Sequence, residues 1–304
     1  MHFEDVLVEA TRLRAAVADR SADLGIRAGL SALEYGNAFL LAPRYAAYQH
    51  VPDECRLVAA RIAGLENGAA LLQDYLRLVT TEQVLLLPRR LEGWRLPPRI
   101  MALIWKTMDR LLAEVRSERD GFFTHENDLF VKDFAVCRLK LLPCGVETVD
   151  TGAGIARSTI WSSGRRHIWP VARAFVEMGG FRPYLEGHWD RRSIREFNVA
   201  GYRNFYANAA ELMIAHPEFR GLGGRSWWFD PALEHISPEL AFLRETAKAG
   251  GVFVPVETDA GMAAQALRMS SRRKSLHAEG KYTPQNTLWI WPRRRVLAWA
   301  ERYG

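Results

Sequence analysis

Cysteine is scarce in this sequence, and its spacing carries no metal or redox signature. Cys55, Cys137 and Cys144 are the three present in 304 residues, and none forms a CxxC pair. An odd, sparse set argues against a disulfide framework and for a reducing compartment. Histidine spacing is equally bare: neither HxH nor HExxH occurs, so no recognised zinc motif is present. The run Gly221-Leu222-Gly223-Gly224 is not followed by Lys and Ser or Thr, which excludes a Walker-type phosphate loop. Ser226 lacks the GxSxG elbow of a serine hydrolase. No uninterrupted apolar segment is long enough to span a bilayer. The start MHFEDVLVEATRLRAAV lacks the basic residues and apolar run of a signal peptide. Cytoplasmic residence is the expectation by elimination. Internal repeats and low-complexity tracts are absent too.

What is present describes a folded chain. The charged fraction of 25% and the hydrophobic fraction of 48% exclude wholesale disorder. The length suffices for a sizeable core and two domains. The formal charge is +6, with basic clusters at Arg165-Arg166, Arg191-Arg192, Arg272-Arg273-Lys274 and Arg293-Arg294-Arg295. Such clusters bind phosphate groups or form a solvated face.

Residues 1–121 read as a helical region. Phe3, Val6, Ala10, Leu13 and Val17 follow a 3-4 spacing, as do Met101, Ile104, Met108, Leu111 and Val115 after Pro97-Pro98. Asn67-Gly68 marks a helix stop. Glu34, Tyr35, Tyr45, Tyr48 and His50 are candidates for lining a pocket, although core or surface duty is the simpler reading. A lid or a dimerisation module is the role expected of this region, and a homodimer the expected assembly.

From residue 122 to 304 the pattern changes. Period-two alternation over Leu129–Leu142 predicts a strand, with Val146–Val149 returning beside it. Ile155–Ser162 reads as a strand and Arg166–Met178 as a helix. Phe181–Trp189 follows as a strand, which would place Tyr184, Glu186, His188 and Asp190 on one face. A long helix is expected next, opened by a capping box of Ser193 and Glu196 and closed before Pro217. Ser226, Trp228 and Asp230 are expected as a row on another strand. A helix led by Ser237 and Pro238, a strand at Val252–Val256, a helix over Gly261–Ala278 and a strand at Thr287–Trp291 complete the chain. The fold class is α/β (α+β): an N-terminal helical region followed by a mixed-sheet domain.

This order of elements over roughly residues 127–300 resembles the GNAT-type N-acetyltransferase fold, in which a mixed sheet splays open to hold an acyl-CoA. In that family the loop before the long helix binds pyrophosphate through a Gln or Arg, two residues, Gly, one residue, then Gly or Ala. The matching place is Trp189-Asp190-Arg191-Arg192-Ser193-Ile194, which has the basic residues and a helix N-terminus but neither glycine. The resemblance implies acyl-CoA as co-substrate, held by Arg191, Arg192 and Ser193. It implies transfer to an amine, with Glu186 or His188 as base and Tyr202 or Tyr206 as acid. The phrases SWWFDPAL and SPELAFLR are similar to stretches of bacterial proteins, which adds no chemistry.

Two other chemistries fit some of the same residues. Glu186, His188 and Asp190, with His235, offer a mixed N/O metal site, but alternate strand positions spread over roughly 13 Å, too far for one ion. No metal is therefore expected. Arg272-Arg273-Lys274 with Trp289, Trp291 and Arg293–Arg295 mixes charge with stacking surface. No recognised nucleic-acid motif accompanies it, so nucleic acid is not the expected partner.

Overall fold

The computed structural model describes residues 3–43, 45–117, 119–268 and 270–303. By internal contacts the chain divides into two compact units. One runs up to Pro143 and takes in Asp150–Gly152; the other comprises Cys144–Val149 and the chain from Ala153 onward.

The first unit is built by α1 (Phe3–Ala28), α2 (Ala32–Leu41), α3 (Asp53–Ala63), α4 (Gly68–Leu91), α5 (Pro98–Ser117) and α6 (Asp128–Cys137). The seams read from the sequence are buried: Val6, Ala10, Leu13 and Val17 on α1, and Ile104, Met108, Leu111 and Val115 on α5. Ser31 and Glu34 form a reciprocal capping box that starts α2. Asn67 adopts a left-handed φ of 57° ahead of α4, a conformation that Asn tolerates better than most residues.

The strand expected over Leu129–Leu142 is instead α6, with strand only at β1 (Leu141–Pro143). The side chains from Phe130 to Cys137 are all buried, so no polar stripe marks the helical period. Its charges are consumed in ion pairs, Lys132 with Asp128 and Asp133 with Arg110. Asn127 caps its start by accepting from the Leu129 N–H. Among the described residues no strand precedes Leu141.

A six-stranded mixed sheet follows this helical region. Its other strands are β2 (Glu147–Ala153), β3 (Tyr184–Trp189), β4 (Gly221–Ser226), β5 (Val252–Val256) and β6 (Asn286–Pro292), in the order β1-β2-β3-β4-β6-β5. β3 and β4 are parallel, whereas β6 runs antiparallel to both β4 and β5. Helices α7 (Thr159–Ser162) and α8 (Ile168–Met178) precede β3, and α9 (Val199–Ala215) crosses from β3 to β4. After β4 come α10 (Leu233–Ile236) and α11 (Ala241–Lys248). Helices α12 (Ala260–Arg268) and α13 (Ser271–Ala278) separate β5 from β6, and α14 (Arg293–Tyr303) follows β6. Two expectations change here. Ile155–Ser162 holds the short α7 rather than a strand, and the helix over Gly261–Ala278 is two, the second capped by Ser270.

Alternation along the strands sorts this unit into two faces. Tyr184, Val254, Leu288 and Ile290 pack on Val171, Ala174 and Met178, the inner side of α8. Trp289 and Trp291 point the other way, where Tyr206 of α9 meets their rings at 6.0 and 5.1 Å. Trp299 of α14 closes on the same Tyr206 at 5.6 Å. Each fully buried side chain of this kind contributes roughly 2–3 kcal/mol. No helix of the described chain is long and apolar enough to cross a membrane.

Candidate functional site

β3 and β4 start together and part early. Both run six residues, yet their register joins only Leu185 with Leu222 and Glu186 with Gly223. Past that point the ladder between them stops, while β4 stays paired with β6 as far as Ser226. Glycines mark the place. A Cβ on Gly187 would lie 2.1 Å from Glu147 Oε2, and one on Gly224 would lie 3.0 Å from Trp289 Nε1. Only a bare backbone fits Gly187 against that carboxylate. The parting strands end at the carboxyl edge of a parallel pair, where open α/β sheets bind ligands.

The α9 side of the gap carries a buried polar pair. Tyr202 Oη donates to Glu147 Oε1 at 2.7 Å. Burial, and then the Glu147 charge, push the Tyr202 hydroxyl well above its ordinary pKa, so it stays protonated as the donor. One turn on, Tyr206 is pushed up by the same two causes. Its hydroxyl is wholly buried and has no hydrogen-bond partner among the described residues. A buried hydroxyl left unmatched costs about 1–3 kcal/mol, and such groups call for a reason. An aromatic cluster lies against the pair. Trp189, from the end of β3, meets Trp228, just past β4, at 5.3 Å; Phe197 packs on both rings and on Tyr202.

The opposite side carries Glu186 and His188. Both alternate with Gly187 and so share the Tyr184 face, and both are half-buried. The His188 carbonyl accepts from Thr148 Oγ1 at 3.3 Å. The structure thus brings Glu186 and His188 together and sets Tyr202 across the sheet from them.

Asp190 leaves the row expected of it. The strand ends at Trp189, and Asp190 caps a single 3-10 turn, Arg191–Glu196, by accepting from the Arg192 N–H. The same carboxylate holds the Arg192 guanidinium in a forked pair at 2.9 and 2.6 Å. Ser193 sits inside that turn and does not cap α9. Asn198 does, accepting from the Gly201 N–H at 3.0 Å. The crowding is tight: a Cβ on Gly201 would lie 1.9 Å from the Glu196 carbonyl oxygen. The turn and the helix are therefore separate elements, which is why the Ser193–Glu196 box does not form. Arg191 and Arg195 are exposed beside the start of α9.

The row of Ser226, Trp228 and Asp230 also dissolves. β4 ends at Ser226, which caps the turn Trp227–Phe229, and Asp230 accepts from Tyr282 Oη and the Gln285 N–H. His235 lies exposed on α10. Among the described residues no three His, Cys, Asp or Glu side chains gather as a metal-binding group.

The sequence assigns Glu147 no role, because Val146–Val149 reads only as a strand returning beside Leu129–Leu142, and the observed strand is Glu147–Ala153. All seven of those side chains are buried. The clue is Gly187 across from it, visible only once the register of the strands is known.

Comparison with models of known families, and with curated proteins by sequence, finds no match. Among solved structures, an acyltransferase in complex with CoA and 10C-teicoplanin is similar over 74% of this chain and 68% of that one, at 14% identity and a TM-score of 0.46.

Proposed function

We propose that the chain is a GNAT-like N-acyltransferase that moves an acyl group from a CoA thioester to an amine. The observation that carries this reading is the early parting of two parallel strands, followed by a 3-10 turn and the long α9. Where two parallel strands separate, backbone N–H and C=O groups face a gap instead of each other. An extended amide chain, such as the pantetheine arm of CoA, matches that gap as an added strand would. The sheet order, with a parallel pair inside and an antiparallel pair at the edge, agrees with the family's plan.

The phosphate end fits better in this register than at the place first matched. Set on the true start of α9, the family pattern falls on Arg195–Ala200. Arg195 and Ala200 agree with it, and Asn198 replaces the first glycine. The helix's first-turn N–H groups and the exposed Arg191 and Arg195 then face the pyrophosphate, while Arg192 is occupied by Asp190.

The chemistry uses both sides of the gap. The amine nitrogen attacks the thioester carbonyl, the N–C bond forms and the C–S bond breaks. Glu186, half-buried at the last paired position, takes the amine proton, with His188 beside it. Tyr202, across the gap, would protonate the departing thiolate by turning its O–H away from Glu147, whose carboxylate holds that proton before the transfer.

Calorimetry with acetyl-CoA and longer acyl-CoAs tests the reading. Wild-type protein should bind, and Arg191→Ala/Arg195→Ala should weaken binding by about tenfold or more, as expected for loss of charge-assisted contacts. Absence of heat with every acyl-CoA would remove the reading.

A further inference from the structure

The second unit carries a second surface, remote in chemistry from the strand gap. Trp161 on α7 is 74% exposed, Trp169 on α8 is 81% exposed and Val176 is 76% exposed. These are the wrong side chains for a face meant only for water. On α8 they follow from the helix itself. Val171, Ala174 and Met178 occupy the inner stripe, so Trp169, Ala172 and Val176 form an outer apolar ridge. α14 lies beside α8, and the two border an open groove of about 910 Å³ that includes Trp169, Arg173, Arg294 and Ala298.

The charge around the ridge is mostly positive, although α14 also carries the exposed Glu301. Between Ile155 and Arg182 there are five arginines and one carboxylate, Glu177. Glu177 is already held by Arg295 at 2.6 Å, which depresses its pKa. Arg165, Arg166, Arg173 and Arg294 are exposed and hold no ion pair among the described residues. Other arginines of the same basic runs are used internally. Arg293 donates to the Met213 carbonyl, and Arg273 is buried against Ala266, Ser237 and the Trp227 ring. Arg165, Arg166 and Arg294 are among the members of those runs that the fold leaves exposed, and Arg173 adds a fourth exposed arginine on α8.

We propose that the outer face of α7, α8 and α14 is a peripheral docking surface for an anionic phospholipid membrane, with Trp161 and Trp169 at headgroup depth and Arg165, Arg166, Arg173 and Arg294 on the phosphates. Indole rings prefer the boundary between hydrocarbon and water, and arginine side chains reach past an apolar ridge to the phosphates. Exposed aliphatic surface at Val176 suits acyl chains. A nucleic acid would use the arginines and the ring faces but would leave the aliphatic surface at Val176 uncovered, which acyl chains would fill. This surface stands apart from the proposed transfer reaction and does not depend on it.

Co-sedimentation with vesicles tests it. The full chain should bind phosphatidylglycerol–phosphatidylcholine vesicles at low salt, ignore pure phosphatidylcholine, and detach at high salt. Trp161→Ala/Trp169→Ala should lower partitioning about tenfold. Each of Arg165→Ala, Arg166→Ala and Arg173→Ala should lower it roughly fivefold. All these side chains are exposed, so thermal melts should be unchanged. Should the tryptophan pair prove needed for folding, the loop pair Arg165→Ala/Arg166→Ala carries the same test. Brominated lipid should quench fluorescence in the wild type and much less in Trp161→Phe/Trp169→Phe. No binding to anionic vesicles, binding untouched by these substitutions, or capture of single-stranded DNA without capture of vesicles would each overturn the proposal.

Discussion

Single side chains decide most of what this molecule can be asked to do. Glu186 is the sharpest case. On the proposed mechanism Glu186→Gln keeps the shape of the strand and removes the proton acceptor, so turnover should fall by roughly 10²–10⁴ while acyl-CoA affinity stays. Unchanged turnover, read from thiol release, would transfer the base role elsewhere, first to His188. His125 makes a different prediction, about stability. Its Nε2 is hydrogen-bonded with Tyr35 Oη at 2.7 Å, and burial depresses the ring's pKa to about 4. The unfolded chain takes up this proton near pH 6.5, whereas the folded one resists until about 4. The resulting stability is whole above pH 6.5 and drains away as the pH falls toward 4, by about 3 kcal/mol in all. Denaturant titrations at several pH values should show that slope, and His125→Phe should flatten it.

At the scale of elements, the sequence was legible where a helix has one apolar stripe or a strand one apolar face. α1 and α5 announce themselves through Val6, Ala10, Leu13 and Val17, and through Ile104, Met108, Leu111 and Val115. α6 does not, because it is buried all round and its charges are paired, while Arg138 and Lys140, alternating with Cys137, Leu139 and Leu141, imitate the charged face of a strand. The site divides likewise. Glu186 and His188 stand out by spacing, whereas Glu147 depends on pairing between distant strands, which no local pattern encodes. The junction before α9 is ambiguous for a third reason: Ser193 and Asn198 are both good caps, and packing of Gly201 on Glu196 selects the later one. That selection is testable. Gly→Ala inside a helix normally gains about 1 kcal/mol. At Gly201 the new methyl would meet a backbone oxygen that cannot swing aside, so Gly201→Ala should instead lose about 2 kcal/mol. A denaturation midpoint at or above the wild-type value would show that the turn and helix are less tightly joined than described.

Across the whole molecule, the distribution of arginine is the most informative feature. A net charge of +6 says little by itself. Arg192, Arg273, Arg293 and Arg295 are tied into the fold, whereas the exposed arginines include Arg191 and Arg195 at the start of α9 and Arg165, Arg166 and Arg173 on and just before α8. If the first place binds acyl-CoA, the native state gains free energy that the unfolded chain does not. At a ligand concentration of one hundred times Kd the gain is about 2.7 kcal/mol. For a chain of this size that raises the melting temperature by roughly 4 °C. Free CoA should do the same, because the arginines and the helix start meet its phosphates and not its acyl group. Glu186→Gln should keep the full shift, since it touches chemistry alone, while Arg191→Ala/Arg195→Ala should lose most of it. A shift that survives the double arginine change would move the phosphate site away from α9. A shift produced by acyl-CoA but not by CoA would place recognition on the acyl chain, and the aromatic cluster of Trp189, Phe197 and Trp228 would become the site to mutate next.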